Sequence, residues 1–399
     1  MARPCSPVTN PTGSAKPSDH RASNMVKPPV DERLVTQPHK GLPLAAESVL
    51  EPEPMTRLRR VIEDEARAHG FSAIGVTRPE LPLEAERLRR WLEMGHHGSM
   101  SYLARYGMRR AHPESWFPET IRVISVRCDY GKPDPARLEV LADSKRGYIA
   151  QYALGRDYHK IMRKKLRQLA QVLSRVIAPH GFRVFVDSGP IMEKPLAQNA
   201  GLGWIGKHTN LIAPGSGSYF FLGEILTTLA LEPDAPSTSH CGSCQACIEV
   251  CPTRAIVRPY ELDARRCIAY LTIENRGPIP LEFRRAIGNR IFGCDDCQLV
   301  CPMNKFARKV PLPEFAPRTE LLAPELADLM EWTEQDFDER TRGSALRRVG
   351  FRGWLRNLAV ALGNAPSSDG VLRALQKHAQ HRDPLVREHV EWAIGQHRK

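Results

Sequence analysis

Eight of the ten cysteines in this 399-residue chain fall between positions 241 and 301, and their spacing is the first pointer to chemistry. The run Cys241-x2-Cys244-x2-Cys247-x3-Cys251-Pro is the bacterial-ferredoxin pattern. In it, three thiolates hold one 4Fe–4S cluster and the fourth, before the proline, ligates a second. Cys267 and the run Cys294-x2-Cys297-x3-Cys301-Pro complete the set. Crossing the two runs in the ferredoxin manner gives one shell of Cys241, Cys244, Cys247 and Cys301 and another of Cys251, Cys267, Cys294 and Cys297. Zinc also takes repeated C-x2-C pairs, but zinc ribbons do not need the C-x3-C-P endings. Disulfide staples would be scattered, so the clustering implies metal in a reducing compartment. Cys5 and Cys128 read as incidental.

Two such clusters pass electrons singly, which makes a carrier unless another part of the chain holds an acceptor. No G-x-G-x-x-G follows a predicted strand, so a Rossmann nicotinamide or flavin site has no support. Asp157-Tyr158-His159 lacks the glycine of the methionine-synthase-type cobalamin motif.

The elements that must position this chemistry fall into four stretches. Residues 1–54 hold 10 of the 33 prolines and no sustained apolar period, and they read as a disordered leader, with Met55 a candidate start. From 55 to 230, helical patterns alternate with β-branched runs at 73–77, 123–126, 182–187 and 210–212, which predicts an α/β domain. A helix over 158–178 is expected to turn Ile161, Leu166, Leu169, Ala170, Leu173, Val176 and Ile177 inward. Its other side carries Lys160, Arg163, Lys164, Lys165 and Arg167, a solvated face or a nucleic-acid patch. The cysteine module spans 231–310 behind a Pro-rich linker at 232–239. Residues 311–399 turn helical, and the segments opening at Phe351 and Asp383 look like two related helices that each stop at a Leu-Gly or Ile-Gly pair. The Asp383-Pro-Leu-Val-Arg opening is common in HEAT-like repeats. Trp354 and Trp392 are expected in that core.

Formal charge is +12 at pH 7, which suits a polyanionic partner. No run approaches the roughly 18 to 20 apolar residues of a membrane helix, and no apolar h-region opens the chain, so neither a membrane span nor secretion is expected.

Residues 187–210 combine a strand-end carboxylate, glycines, an indole and basic groups, a composition that lets backbone approach a ligand closely. Together with Gly155-Arg-Asp-Tyr-His159, Val186-Asp-Ser-Gly-Pro190, Ala200-Gly-Leu-Gly-Trp-Ile-Gly-Lys207, the segment 262–274 and the cysteine runs, this stretch makes the chain resemble the epoxyqueuosine reductase family from about residue 55 to the end. The resemblance implies a nitroreductase-like α/β cobalamin-binding domain, a ferredoxin-like module with two 4Fe–4S clusters and a helical HEAT-like cap, related to reductive dehalogenases. The implied reaction converts epoxyqueuosine to queuosine at the wobble position of tRNAs with GUN anticodons. It implies Asp187 as proton donor, and cobalamin contacts at Arg110, Ala150, Asp157, Tyr158, Asp187, Ser188, Lys207, Leu211, Tyr219 and Leu222.

Turning an epoxide into an alkene takes two electrons and two protons and releases water, and the cofactor carries the hard step. For Asp187 to donate near neutral pH, burial against apolar walls would have to lift it above its reference value of about 3.9. Tyr158 and His159 are alternatives as proton relays or as rings stacked on the corrin. Phosphate contacts are expected from Arg265, Arg284 and Arg285 beside the clusters and from Arg348 and Arg352 in the cap, with Arg266, Arg290, Arg347 and Arg356 as further candidates. A cytoplasmic monomer served by an external low-potential electron donor completes the expectation. The rival readings are a corrinoid dehalogenase of small organohalides and a plain electron carrier.

Overall fold

The computed structural model describes residues 52–307 and 312–398. The proposed leader, 1–51 of it, therefore lies outside the described residues. The main sheet has four strands, β1 (Ala73–Thr77), β2 (Arg122–Asp129), β3 (Phe182–Phe185) and β4 (Phe220–Thr227), in the order β1-β2-β4-β3. Every pairing is antiparallel.

Both faces of this sheet are covered, and the period of two along the strands shows how. Ile124 and Val126 of β2 and Phe221 and Ile225 of β4 point to one face, where they meet helices α1 (Pro52–Ala68) and α2 (Tyr158–Val176). Val123 and Leu226 point to the other, where Leu196 of α3 (Glu193–Asn199) packs. The alternation places Ser125 and Glu224 on the α3 face as well. Gly223 brings β4 close to α2, since a Cβ there would sit 2.7 Å from Leu166.

α2 starts at the expected place because Asp157 caps it, its side chain accepting from the N–H of His159. It buries Tyr158, Met162, Leu166, Leu169, Ala170 and Leu173. Val176, expected inside, is 50% exposed at the frayed last turn. Lys165, expected outward, folds back, its Nζ 3.2 Å from the carbonyl of His69 and paired with Glu314.

The linker at 232–239 is tied down rather than loose. Asp234 takes the N–H of Val76 and the guanidinium of Arg59 on one carboxylate oxygen, and donates its own N–H to the carbonyl of Val76. Asn304, just past Cys301, accepts the N–H of Ser218 at 2.7 Å, and Gln298 donates to the Ser218 carbonyl. These bonds fix the cysteine segment to the start of β4.

In the C-terminal region, α4 (Gly350–Asn364) and α5 (Pro384–His397) pack along each other, with Trp354, Leu355, Leu358 and Leu362 in the largest apolar cluster. Trp354 is fully buried and stacks on Trp332 with centroids 5.7 Å apart; Trp392 packs beside the same cluster. The glycines expected to stop these helices do not. Both helices run past Gly363 and Gly395, and Gly363 serves contact instead, because a Cβ there would lie 2.5 Å from the Trp392 ring and 2.9 Å from the Ala393 Cα. No helix among the described residues is long and apolar enough to cross a membrane.

Candidate active site

Asp187 follows β3 at the start of the Asp-Ser-Gly-Pro turn, with φ at +34°, a backbone that L-residues adopt at a cost. Its Oδ2 accepts the Tyr158 hydroxyl at 2.6 Å and faces His159 Nε2 at 2.9 Å. The other ring nitrogen, Nδ1, lies 2.8 Å from Asp157 Oδ1. Ionised carboxylates only accept hydrogen bonds, so His159 satisfies both partners by donating from both nitrogens, as an imidazolium. Burial works against that charge, but the two carboxylates outweigh it and raise the His159 pKa to about 9. Tyr158 is sandwiched between His159 at 4.2 Å and Phe221 at 4.0 Å, so packing fixes both polar tips.

The Asp187 carboxylate is set deep in the chain yet 43% exposed, so it lines a recess. Its surroundings correct the expectation of an apolar-walled acid. Burial does push its pKa up, but the hydrogen bonds from His159 and Tyr158, with the Arg348 charge, win and hold it well below the usual carboxylate range. Asp187 is thus an anion in a pair, and the transferable proton of that pair sits on His159. Arg348 also pairs with Glu274 at 2.9 Å. Tyr102 lies within reach of Glu274 and Asp187, and burial above all raises its pKa to about 12. Arg110 donates to the carbonyls of Ile191 at 3.3 Å and Gly189 at 3.4 Å, and burial pulls its pKa down.

The remaining residues singled out for a corrinoid stand in different surroundings. Tyr219 is 1% exposed and its hydroxyl has no hydrogen-bond partner among the described residues, an orphaned polar atom of the kind a bound cofactor completes. Ser188 is exposed in the Asp187 turn. Ala150 is buried, with its methyl against Gly293 and its N–H given to Phe292. Leu211 and Leu222 lie in a small apolar cluster with Ala197 and Leu202. Lys207 is turned elsewhere: its Nζ donates to the carbonyls of Gly242 at 2.7 Å and Cys244 at 2.8 Å, bracing the first cysteine loop.

The seven cysteines of the two runs and Cys267 are free thiols. Burial and then the nearby Cys301, Cys241 and Cys244 push the Cys247 thiol up to about 11, while Cys297 is raised well above the usual thiol value by burial and then by Cys267, Asp295, Cys247 and Cys251. Cys294 in turn neighbours Cys297. Mutually repelling buried thiols of this kind suit a cationic iron–sulfur core that takes them as thiolates, so the residues fit two such clusters. Cys244 is exposed and Cys247 buried, while the other six are half-buried.

The arginines divide by environment. Arg284 leaves the set of expected phosphate contacts: its side chain is 2% exposed, paired with Glu388 and bonded to the Ile279 carbonyl at 2.9 Å. Arg356 is likewise buried, donating to the carbonyls of Leu271, Asn275 and Gly277. Arg265 lies against Asp263 and is half exposed, Arg285 reaches Gln396, and Arg352 is 53% exposed beside Asp383. Arg348 faces the recess, where it can meet a substrate rather than a backbone at the rim. Sequence reasoning missed Glu193, Glu274 and Tyr102, all of which the fold brings toward Asp187. Each reads in sequence as an ordinary surface or helix residue, and only the Asp187–Glu193 spacing within one Gly-rich segment carried a signal.

Comparison with known proteins gives matches in both regions. The family model described as the 4Fe-4S double cluster binding domain matches residues 240–304, and the one described as epoxyqueuosine reductase QueG, DUF1730, matches residues 110–188. An epoxyqueuosine reductase of Pseudomonas aeruginosa is 52% identical over 353 residues, covering 88% of this chain and 98% of that protein. One of Escherichia coli is 48% identical over 347 residues, covering 87% and 91%. Among solved structures, an epoxyqueuosine reductase holding an epoxyqueuosine-modified tRNA-Tyr stem loop aligns with a TM-score of 0.76 at 30% identity, covering 86% of this chain and 90% of that one. A Bacillus subtilis epoxyqueuosine reductase whose catalytic loop is swung out of the active site aligns with a TM-score of 0.73 at 29% identity, covering 86% and 91%.

Proposed function

The chain belongs to the epoxyqueuosine reductase family, and from that premise we infer that it reduces epoxyqueuosine to queuosine at the wobble position of tRNA, using cobalamin reduced through two 4Fe–4S clusters. The observation that carries the reading is the Asp157–His159–Asp187 array, with the Tyr158 hydroxyl on the same Asp187 oxygen, at the wall of a recess. Bound cobalamin supplies the two-electron cleavage chemistry at carbon and oxygen that no side chain here can perform.

The chain's own groups bind, orient and move protons. Arg110, Asp157, Tyr158, Asp187, Ser188 and Tyr219 hold the cofactor and substrate in the recess, backed by Ala150, Leu211 and Leu222, while Lys207 acts on the first cluster loop. The proton on His159 Nε2 lies on the Asp187 Oδ2 axis, so Asp187 presents it to the opening oxygen, and Tyr158 keeps the carboxylate aimed. Arg348 offsets negative charge as it develops on that oxygen.

The tRNA is one with a GUN anticodon. Arg265, Arg285 and Arg352 contact its phosphates, and the wobble nucleotide is splayed into the recess toward Arg348. An external low-potential donor supplies electrons to a cytoplasmic monomer. Residues 55–230 form the catalytic domain, 231–310 the two-cluster module and 311–399 a HEAT-like cap, a reading supported by the packing of α4 on α5. Cells lacking their own reductase test the function. Expressed wild-type chain is expected to replace epoxyqueuosine by queuosine in digested tRNA, and Asp187→Asn is not. Persistence of epoxyqueuosine with well-folded wild-type protein overturns the reading.

A further inference from the structure

The recess contains a second carboxyl that the mechanism above leaves idle. Glu193 stands in the first turn of α3, and its Oε2 accepts the backbone N–H of Asp187 at 2.9 Å. It therefore anchors the residue whose left-handed backbone needs holding. Charged and titratable groups reach Glu193 from every element around it: Asp187 from the turn, His159 and Tyr158 from α2, Arg110 from the segment before β2, Glu224 from β4 and Lys194 from α3 itself. Lys194 is drawn aside, its Nζ donating to the Thr209 carbonyl and Asn210 Oδ1. Glu224 is fully buried on the same sheet face, hydrogen-bonded by Ser125 through one oxygen and, among the described residues, without a partner on Oε1.

Deoxygenation breaks both carbon–oxygen bonds of the epoxide, forms two O–H bonds of water and consumes two electrons and two protons. The electrons come through the cofactors, and the His159–Asp187 pair holds one proton. We propose that Glu193 holds the other: as a carboxylic acid, it reprotonates the pair after the opening oxygen has taken the first proton, and the leaving hydroxyl departs as water with the second. Glu193 then regains its proton from solvent. Burial and the negative charge of Asp187 support this by raising its pKa to about 7. Glu193 acts through the pair and is a positioning residue with a proton to give, not a group that touches substrate. This inference rests on the epoxide reaction proposed above.

Glu193→Gln keeps an oxygen for the Asp187 N–H but carries no carboxyl proton. In holoenzyme with both clusters and cobalamin loaded, turnover is expected to fall about 10-fold to 100-fold, within the span of general acid catalysis. The alkaline limb of the wild-type rate profile, near pH 7, should give way to one near 9 set by His159. Substrate-free infrared titration should show a protonated-carboxyl band in wild type that is lost near pH 7 and is missing in the variant. Wild-type turnover with an unshifted limb in Glu193→Gln overturns the proposal. So does the absence of any carboxyl titrating near pH 7 in wild type, a result that stands even if the variant loads poorly. Failure of the wild type to deoxygenate tRNA would instead strike the proposed reaction and leave the band in place.

Discussion

Replacing Asp187 by Asn removes one of the two carboxylates that His159 bridges, and the consequence for the ring can be sized. His159 Nδ1 lies 2.8 Å from Asp157 and Nε2 2.9 Å from Asp187, on a side chain only 17% exposed. Burial favours the neutral ring, yet the pKa rises from 6.5 to about 9. At about 1.36 kcal/mol per pH unit, this is on the order of 3 kcal/mol in favour of the imidazolium, supplied by two carboxylates of similar geometry. Deleting one should lower the His159 pKa by about one pH unit or more, in line with the effect of a single close opposite charge. The sign for stability follows: a raised histidine pKa contributes fully below about 6.5 and is lost as pH rises through about 9, so Asp187→Asn pulls the upper edge of that window down. The assay is NMR titration of ring-labelled histidines, with the resonance assigned by its loss in His159→Gln. Turnover of Asp187→Asn should fall about 100-fold or more while clusters and cobalamin are retained. A wild-type His159 titrating near 6.5, or one unmoved by Asp187→Asn, refutes the ion-pair reasoning.

Cys301→Ser should cost the cluster of Cys241, Cys244 and Cys247 despite its distance in sequence, lowering iron from about eight to about four per chain by chemical analysis; unchanged iron would break the crossed assignment. Arg284→Ala removes a buried side chain and its hydrogen bond to the Ile279 carbonyl, while the half-exposed Glu388 turns to water, and should destabilise the fold by about 1 to 3 kcal/mol in denaturant unfolding. Its tRNA affinity, measured on the folded fraction with its salt slope, should be unchanged, unlike that of Arg352→Ala. Gly363→Ala forces a methyl toward Trp392 and Ala393 and should cost about 1 to 3 kcal/mol by the same unfolding measurement, with cluster content intact.

What could be read from the sequence was what spacing alone determines. The C-x3-C-P endings predict how thiolates cross between clusters, and the structure sets Cys301 beside Cys247 and both Cys251 and Cys247 near Cys297. The strands at 73–77 and 123–126 announced themselves by β-branched runs, and the α2 core face by its period. β4 is one of the two inner strands, yet its run through Gly223 and Glu224 masks it, because a buried glutamate and a glycine under α2 both look out of place in a strand. The sign of the Asp187 pKa was equally illegible, since it depends on an imidazole 28 residues away in the chain and on an arginine from the C-terminal region. Burial and ion pairing push a carboxylate in opposite directions, and only the three-dimensional neighbours decide which prevails. Arg284 and Arg352 are indistinguishable as letters; packing sends one inside and leaves the other in solvent.

The central claim is tested most directly by one anaerobic turnover. Protein reconstituted with both clusters and cobalamin is mixed with tRNA carrying epoxyqueuosine and a low-potential reductant, and the digested nucleosides are weighed by mass spectrometry. The account predicts loss of one oxygen from the modified nucleoside, dependent on cobalamin and abolished in Asp187→Asn. An unchanged mass, with clusters and cobalamin verified in place, would contradict it.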